Sequence, residues 1–215
     1  MNSLQDFEIM APVGSRDSLS AAIKAGAGSV YFGIGKLNMR SHSANHFTID
    51  DLREIAETCN EVGIKTYLTV NTIIYDNDME TMREICNAAH EACITAVIAS
   101  DVAVMTYCRQ IGLEVHLSTQ LNISNIEALR FYAQFADVVV LARELNMDQV
   151  AEIHKQIIEQ DIRGPPLLAC FAVMGTPNSI KTDNGPAFIS RHFKQFLQSF
   201  SIKYITAIQI GRAHV

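Results

Sequence analysis

A chain of 215 residues, 48% hydrophobic and 19% charged, is long enough for one large domain or two small ones with a substantial core. Its net charge of −6 and pI near 5.6 exclude binding to nucleic acid by overall charge, and no specific nucleic-acid binding is expected. No apolar stretch approaches the ~20 residues needed to span a bilayer, and the start MNSLQDFEIM lacks the basic head and apolar run of a signal peptide. The five cysteines, Cys59, Cys86, Cys93, Cys108 and Cys170, form no C-x-x-C pair. Four of them fall in helix-patterned segments, where cysteine acts as a small buried hydrophobe. A soluble cytoplasmic protein with no membrane contact is the expectation.

Taken in chain order, short apolar runs alternate with amphipathic segments. EIMAP from Glu8 is the first strand candidate, followed by the turn APVGSRDS. SVYFG from Ser29 is the second, and the long segment after it holds His42, Asn45 and His46. Their spacing invites a metal reading, but nothing nearby supplies a third ligand. Thr48 is placed to cap a helix from Ile49 to Val62, with Asp51 three residues on, close to a capping box. Leu52, Ile55, Ala56 and Cys59 fall on one face of that helix. KTYLTVN from Lys65 is the third strand, with Asp76 expected to cap the helix that follows. AVIAS from Ala96, EVHLSTQ from Glu114 and VVVLAR from Val138 are the fourth, fifth and sixth, with Asn125 and Asn146 expected to cap the last two helices.

Near-continuous apolar strands separated by amphipathic helices demand a mostly parallel sheet with both faces covered. The sheet is either open and doubly wound or closed into a barrel. No G-x-G-x-x-G follows the first strand, so a dinucleotide fold lacks its fingerprint. Most strands end in polar residues, namely Asn71, Ser100-Asp101, Ser118-Thr119-Gln120 and Arg143-Glu144. Function on a barrel of the TIM type sits at that C-terminal rim, which favours the barrel. His116, Ser118 and Gln120 alternate along the fifth strand, and period two aims all three into the barrel. His116 reads either as a general base or metal ligand, or as a hydrogen-bonded core histidine. Arg143 and Glu144 read as a clamp on an anionic group, or as an ion pair at the strand–helix turn. Tyr31, Asn71, Asp101 and Asn122 are candidate substrate contacts, each with a structural alternative. For Tyr31 that is a buried partner, and for the others a loop or helix cap.

The opening EIMAPVGSRDSLSAAIKAGAGSVYFG, the segments YLTVNTII and VIASDVAVM, and above all HLSTQLNISNIEALRFY followed by VVLARELNMDQVAEI, resemble the collagenase-like peptidases of family U32. The resemblance covers residues 8–160 and implies a TIM-like barrel bearing a peptidase activity. The mechanism it leaves open includes metal-assisted hydrolysis near His116, with Arg143 positioning the substrate. Some members resemble RNA-hydroxylating enzymes, which carry an iron–sulfur cluster on cysteines beyond the sixth unit. Only Cys170 lies past residue 108 here, and one thiolate cannot hold a cluster that usually takes four, so no cluster is expected in this chain. A divalent metal stays open. The substrate implied is a peptide, or RNA if the hydroxylating relatives are the guide.

At Gly164-Pro165-Pro166 the sequence changes character. GTPNSIKTDNGPAF and the helix end before IKYITAI resemble an integrase core of retroviral or retrotransposon type. In that resemblance Asp183 is one of three carboxylates of a divalent-metal site, and its two partners are missing here. Polynucleotidyl transfer is therefore not expected. The final QIGRAHV back-translates to CAG ATC GGA AGA GCA CAC GTC, like a sequencing adapter. The expected division is residues 1–163 as six units of an incomplete β/α barrel, 164–208 as an integrase-like α/β fragment, and 209–215 as an artefactual tail. The competing reading keeps one barrel, with LLACFAV as strand seven, FISRHFKQFLQSF as its helix and YITAIQI as strand eight. Six strands of eight leave two unpaired edges, so a poorly soluble, partly molten and inactive product is expected, which a sharp cooperative melt of monomer contradicts.

Overall fold

The computed structural model describes residues 8–39, 47–160, 162, 179–182 and 203–206. From Ile9 to Ile162 the described residues belong to one compact unit, and the two short strands near the C-terminus belong to another. The first unit runs β1 (Met10–Pro12), α1 (Arg16–Lys24), β2 (Ser29–Gly33), α2 (Ile49–Glu61), β3 (Lys65–Val70), α3 (Met79–Glu91), β4 (Ala96–Ala99), α4 (Val102–Ile111), β5 (Val115–Leu117), α5 (Ile126–Tyr132) and α6 (Met147–Glu159). All five strands are parallel and lie in chain order, β1-β2-β3-β4-β5. A doubly wound sheet reverses its strand order at a switch point, whereas a β/α barrel adds each strand beside the last. The observed order is the barrel's.

The ladder sorts the side chains into two faces. Val30, Phe32, Leu68, Val70, Val97, Ala99, Val115 and Leu117 are at most 1% exposed. They join one core with Leu52, Ile55 and Cys59 of α2, Met82 and Cys86 of α3, and Val104, Met105 and Cys108 of α4. Each helix turns its apolar stripe to that layer, as the 3.6-residue period requires. The alternate positions form the inner face in levels set by register. Tyr31, Tyr67 and Ala96 share one level. Gly33, Thr69, Ile98 and His116 share the next, nearer the C-terminal ends.

Local signals fix the helix starts. Thr48 and Asp51 form a full capping box on α2, and Asn146 and Gln149 form one on α6. Asn125 Oδ1 accepts from the Ala128 N–H at 3.0 Å and caps α5. Asp76 does not cap α3 as expected. It opens a 3-10 turn, Asp76–Asp78, and Asp78 stands at the helix start. The Asp78 carboxylate accepts from the Tyr75 N–H at 3.2 Å across the 3-10 turn and makes no side-chain cap bond to α3.

The fifth strand is shorter than its sequence suggests, and the expected sixth, VVVLAR from Val138, does not form a strand. After Leu117, Ser118 Oγ accepts from the Gln120 N–H, and the chain enters a 3-10 turn at Thr119–Leu121. That turn interrupts pairing with the segment at 138–143. Contact survives as isolated bridges, His116 to Val138 and Ile123 to Leu141. In the second unit β6 (Ser179–Thr182) and β7 (Lys203–Thr206) pair in parallel, Ser179 opposite Lys203 and Thr182 opposite Thr206. β6 ends one residue before Asp183, which lies outside the described residues, as do LLACFAV, FISRHFKQFLQSF, Cys170, His42, Asn45, His46 and QIGRAHV. Among the described residues no helix is long and apolar enough to cross a membrane.

Candidate functional site at the strand ends

The C-terminal ends of β2, β3 and β5 are tied together by two asparagines. Asn38, 3% exposed, donates from Nδ2 to the carbonyls of Ile34 at 3.0 Å and Gly35 at 3.1 Å. Its side chain lies against Gly33, where a Cβ would stand 2.4 Å from Asn38 Cγ, so only glycine fits there. Asn71, the residue after β3, accepts the Met39 N–H on Oδ1 at 3.3 Å and donates from Nδ2 to Ser118 Oγ at 3.4 Å. Ser118 Oγ also accepts the Gln120 N–H at 3.4 Å. Asn71 thus joins the loop after β2 to the turn after β5.

Asp101 follows β4 and caps α4 by accepting the Ala103 N–H at 2.8 Å. Its second oxygen accepts the Ile74 N–H at 3.1 Å and pins the loop after β3. Arg143 is exposed and its guanidinium donates to Thr119 Oγ1 at 3.3 Å. Glu144 and Asn122 are also exposed, Asn122 with φ 49° closing the 3-10 turn. Gln120 lies in that turn, exposed, and does not join His116 and Ser118 on the inner face. The two-residue period holds only while the strand lasts, and Ser118 ends it.

His116 sits lower than a rim base would. Its Nε2 lies 2.9 Å from Glu114 Oε1, and its ring centroid is 4.8 Å from that of Tyr67, one level down. Glu114 immediately precedes β5, so the ring is laid back along the strand, away from Ser118. An ionised carboxylate only accepts, so Nε2 carries the proton in that bond and Nδ1 is the nitrogen left for other work. Tyr31 is half-buried on the level of Tyr67, two residues before β2 ends. The Glu114-x-His116 spacing was the sequence signal for this pair, since period two puts both on one face. Asn38 gave no such signal, because its role depends on a glycine five residues earlier.

Two of the described thiols, Cys59 and Cys108, are poorly suited to ligation or reaction. Cys59, Cys86 and Cys108 are buried on α2, α3 and α4, and Cys93 is exposed after α3. Cys86 and Cys108 have their sulfurs 3.6 Å apart. The hydrogen bond that Cys108 donates to Cys86, then burial, pushes the Cys108 thiol far up, and burial raises that of Cys59. Such thiols stay protonated and are weak ligands and nucleophiles. Among the described residues no three of His, Cys, Asp and Glu converge to hold a metal ion.

Its parallel strands in chain order place the chain among folds of the β/α-barrel type. The profile of peptidase family U32 matches residues 14–164, and the chain belongs to that family. It is 67% identical over 163 residues to a collagenase of Porphyromonas gingivalis strain W83, covering 76% of this chain and 39% of that protein. It is 32% identical over 168 residues to a tRNA hydroxylation protein of Bacillus subtilis, covering 75% of this chain and 40% of that one. The chain therefore spans about two fifths of the length of these relatives. The solved U32 peptidase Mk0906 has the same fold, with TM-score 0.60 at 13% identity over 91% of this chain and 76% of that one.

Proposed function

We propose that the rim at the C-terminal ends of β2 to β5 is the peptide-binding face of a collagenase-like peptidase. The 67% identity to the Porphyromonas collagenase carries this reading, because it is far above the 32% shared with the tRNA hydroxylation protein. Exposed Arg143, with Thr119 beside it, is the group to hold a peptide carboxylate or carbonyl, and Glu144 flanks it. Asn71, Ser118, Asn122 and Gln120 supply neutral donors and acceptors for the peptide backbone. His116, with Glu114 on Nε2, offers Nδ1 as a general base to water or as a ligand to a divalent ion. Asp101 and Tyr31 act by shaping the site, the first through the loop after β3 and the second from the inner face.

The test measures binding and cleavage separately. Fluorescence anisotropy with a labelled gelatin peptide should show binding that weakens about tenfold to a hundredfold in Arg143→Ala, the loss of a hydrogen bond to a charged group. Dye-quenched gelatin reads hydrolysis by the same chain. A wild-type chain that neither binds nor cleaves gelatin peptides overturns the reading.

We further propose the division at residues 164 and 209, with the integrase-like segment carried in from unrelated DNA. Lys181 and Thr182 of K-T-D-N-G end β6, which puts Asp183 directly after a strand as in the resemblance, and β6 pairs in parallel with β7. In this reading Asp183 is one carboxylate of an incomplete metal site. A product amplified from the source genome across both junctions, with the same sequence, overturns it. A reducing cytoplasm is proposed as the location, supported by the unbonded thiols of Cys59, Cys86, Cys93 and Cys108.

A further inference from the structure

Four of the eight large hydrophobic side chains exposed among the described residues follow β2, β3 and β4 at the C-terminal rim. They are Met39 at 59%, Ile73 at 70%, Tyr75 at 66% and Val102 at 47% exposed. Single exposed hydrophobics are ordinary, but a cluster beside a polar site marks a binding surface. The loop that carries two of them is firmly held. Asp101 accepts the Ile74 N–H at 3.1 Å, and Asp78 accepts the Tyr75 N–H at 3.2 Å. Ile74 packs on the core, and Tyr75 is extended at φ −90° and ψ 162°. In extended chain the neighbours of Ile74 point away from the face it buries, so Ile73 and Tyr75 share the outward side. Met39 is joined to the same place by its N–H bond to Asn71.

Charge indicates what covers this surface. Asp76 is exposed next to Tyr75, and Asp78 and Asp101 flank the loop. A phosphate backbone is repelled there, whereas an uncharged polypeptide side chain is not. We infer that Met39, Ile73, Tyr75 and Val102 form an apolar subsite for a large aliphatic or aromatic side chain of a peptide substrate. The inference rests on the reading of the rim as a peptide-binding face, and it names the residue class that face selects.

Fluorescence anisotropy on the full chain tests it with three fluorescein-labelled probes: acetyl-Ala-Ala-Leu-Phe-Ala-Ala-amide, its all-alanine counterpart, and a twelve-nucleotide oligouridylate. The Leu-Phe peptide should bind at least about tenfold more tightly than the all-alanine one, as burial of large apolar side chains requires. The double variant Ile73→Ser, Tyr75→Ser should remove that preference and leave the far-ultraviolet circular dichroism unchanged, since both positions face solvent. Equal affinity for the two peptides, an unchanged preference in the double variant, or tighter binding of the oligouridylate overturns the subsite. Because the readout is a preference between side chains, it separates from the gelatin assays. Preference with neither binding nor cleavage of gelatin overturns the peptidase reading and keeps the subsite, while gelatin binding and cleavage without preference do the reverse.

Discussion

The two faces of the sheet are made by the same five strands, yet one is apolar but for Thr66 and the other holds several hydroxyls, an imidazole and phenols. On the helix side Val30, Phe32, Leu68, Val70 and Leu117 are sealed against α2 to α4. On the inner side Ser29, Thr69, His116 and Ser118 are also buried, and Tyr67 is 2% exposed. Helices cover their side of the strands with apolar contact except at Thr66, level with Val30, whose buried Oγ1 accepts the Thr95 N–H at 3.3 Å. The inner face ends at the rim, and there Thr69 and His116 have hydrogen-bond partners, whereas the buried Ser29 hydroxyl has none. The lesson is that burial alone does not mark structural residues in this fold. The face does.

The largest test of this contrast is Leu68→Ala on the sealed face. It should destabilise the chain by about 2–5 kcal/mol, because a cavity is left that the three packed helices cannot fill. The shift of the urea midpoint measures it, and a change under about 1 kcal/mol breaks the claim that this face is tightly packed. Next is Gly33→Ala on the inner face. The new methyl would meet Asn38, and a cost of about 1–3 kcal/mol is expected from overpacking. Asn38→Ala combined with Gly33→Ala should recover part of that cost, and a strictly additive double variant would remove the contact from the account.

A smaller effect is expected from Thr69→Val. Thr69 Oγ1 donates to the Phe32 carbonyl at 3.0 Å, and its loss should cost about 1 kcal/mol in the same melt. A cost equal to that of Leu68→Ala would erase the difference between the faces. The smallest concerns the outer surface at Asp51. The Thr48 N–H, then the Thr48 hydroxyl, and Arg16 hold its carboxyl below the ordinary aspartate range. The stabilisation is present above the unfolded value and is lost as pH falls through the lower folded value. Thr48→Ala should therefore flatten the acid limb of the stability profile slightly, below about pH 4. An unchanged acid limb would show that the capping box adds nothing there.

Much of the architecture was legible because it depends on short-range physics. The helix of Leu52, Ile55, Ala56 and Cys59 lies where its period put it, and Thr48, Asn125 and Asn146 cap where they were expected to. Each cap needs only a side-chain oxygen within three residues of an orphan N–H. Asp76 was the exception, since the chain from it to α3 takes a 3-10 turn. Gln120 missed for the same kind of reason: Ser118 ended the strand on which the alternation relied. The rim as a set was foreseen from polar strand ends. Its linkage through Asn38, Asn71 and Ser118 was not, because those residues are up to 80 positions apart in the chain.

The sequence by itself determined the alternation of strand and helix, the face each helix buries, most of the caps and the family, all of which follow from periodicity and near-neighbour chemistry. Only the tertiary structure decided that the strands run in chain order without a switch point and that His116 leans back on Glu114 and Tyr67. It also decided that Asn38 demands glycine at residue 33 and that the loop after β3 turns Ile73 and Tyr75 outward. These features depend on which distant segments share a level of the sheet. Register is a property of paired strands, and no single stretch of chain encodes it.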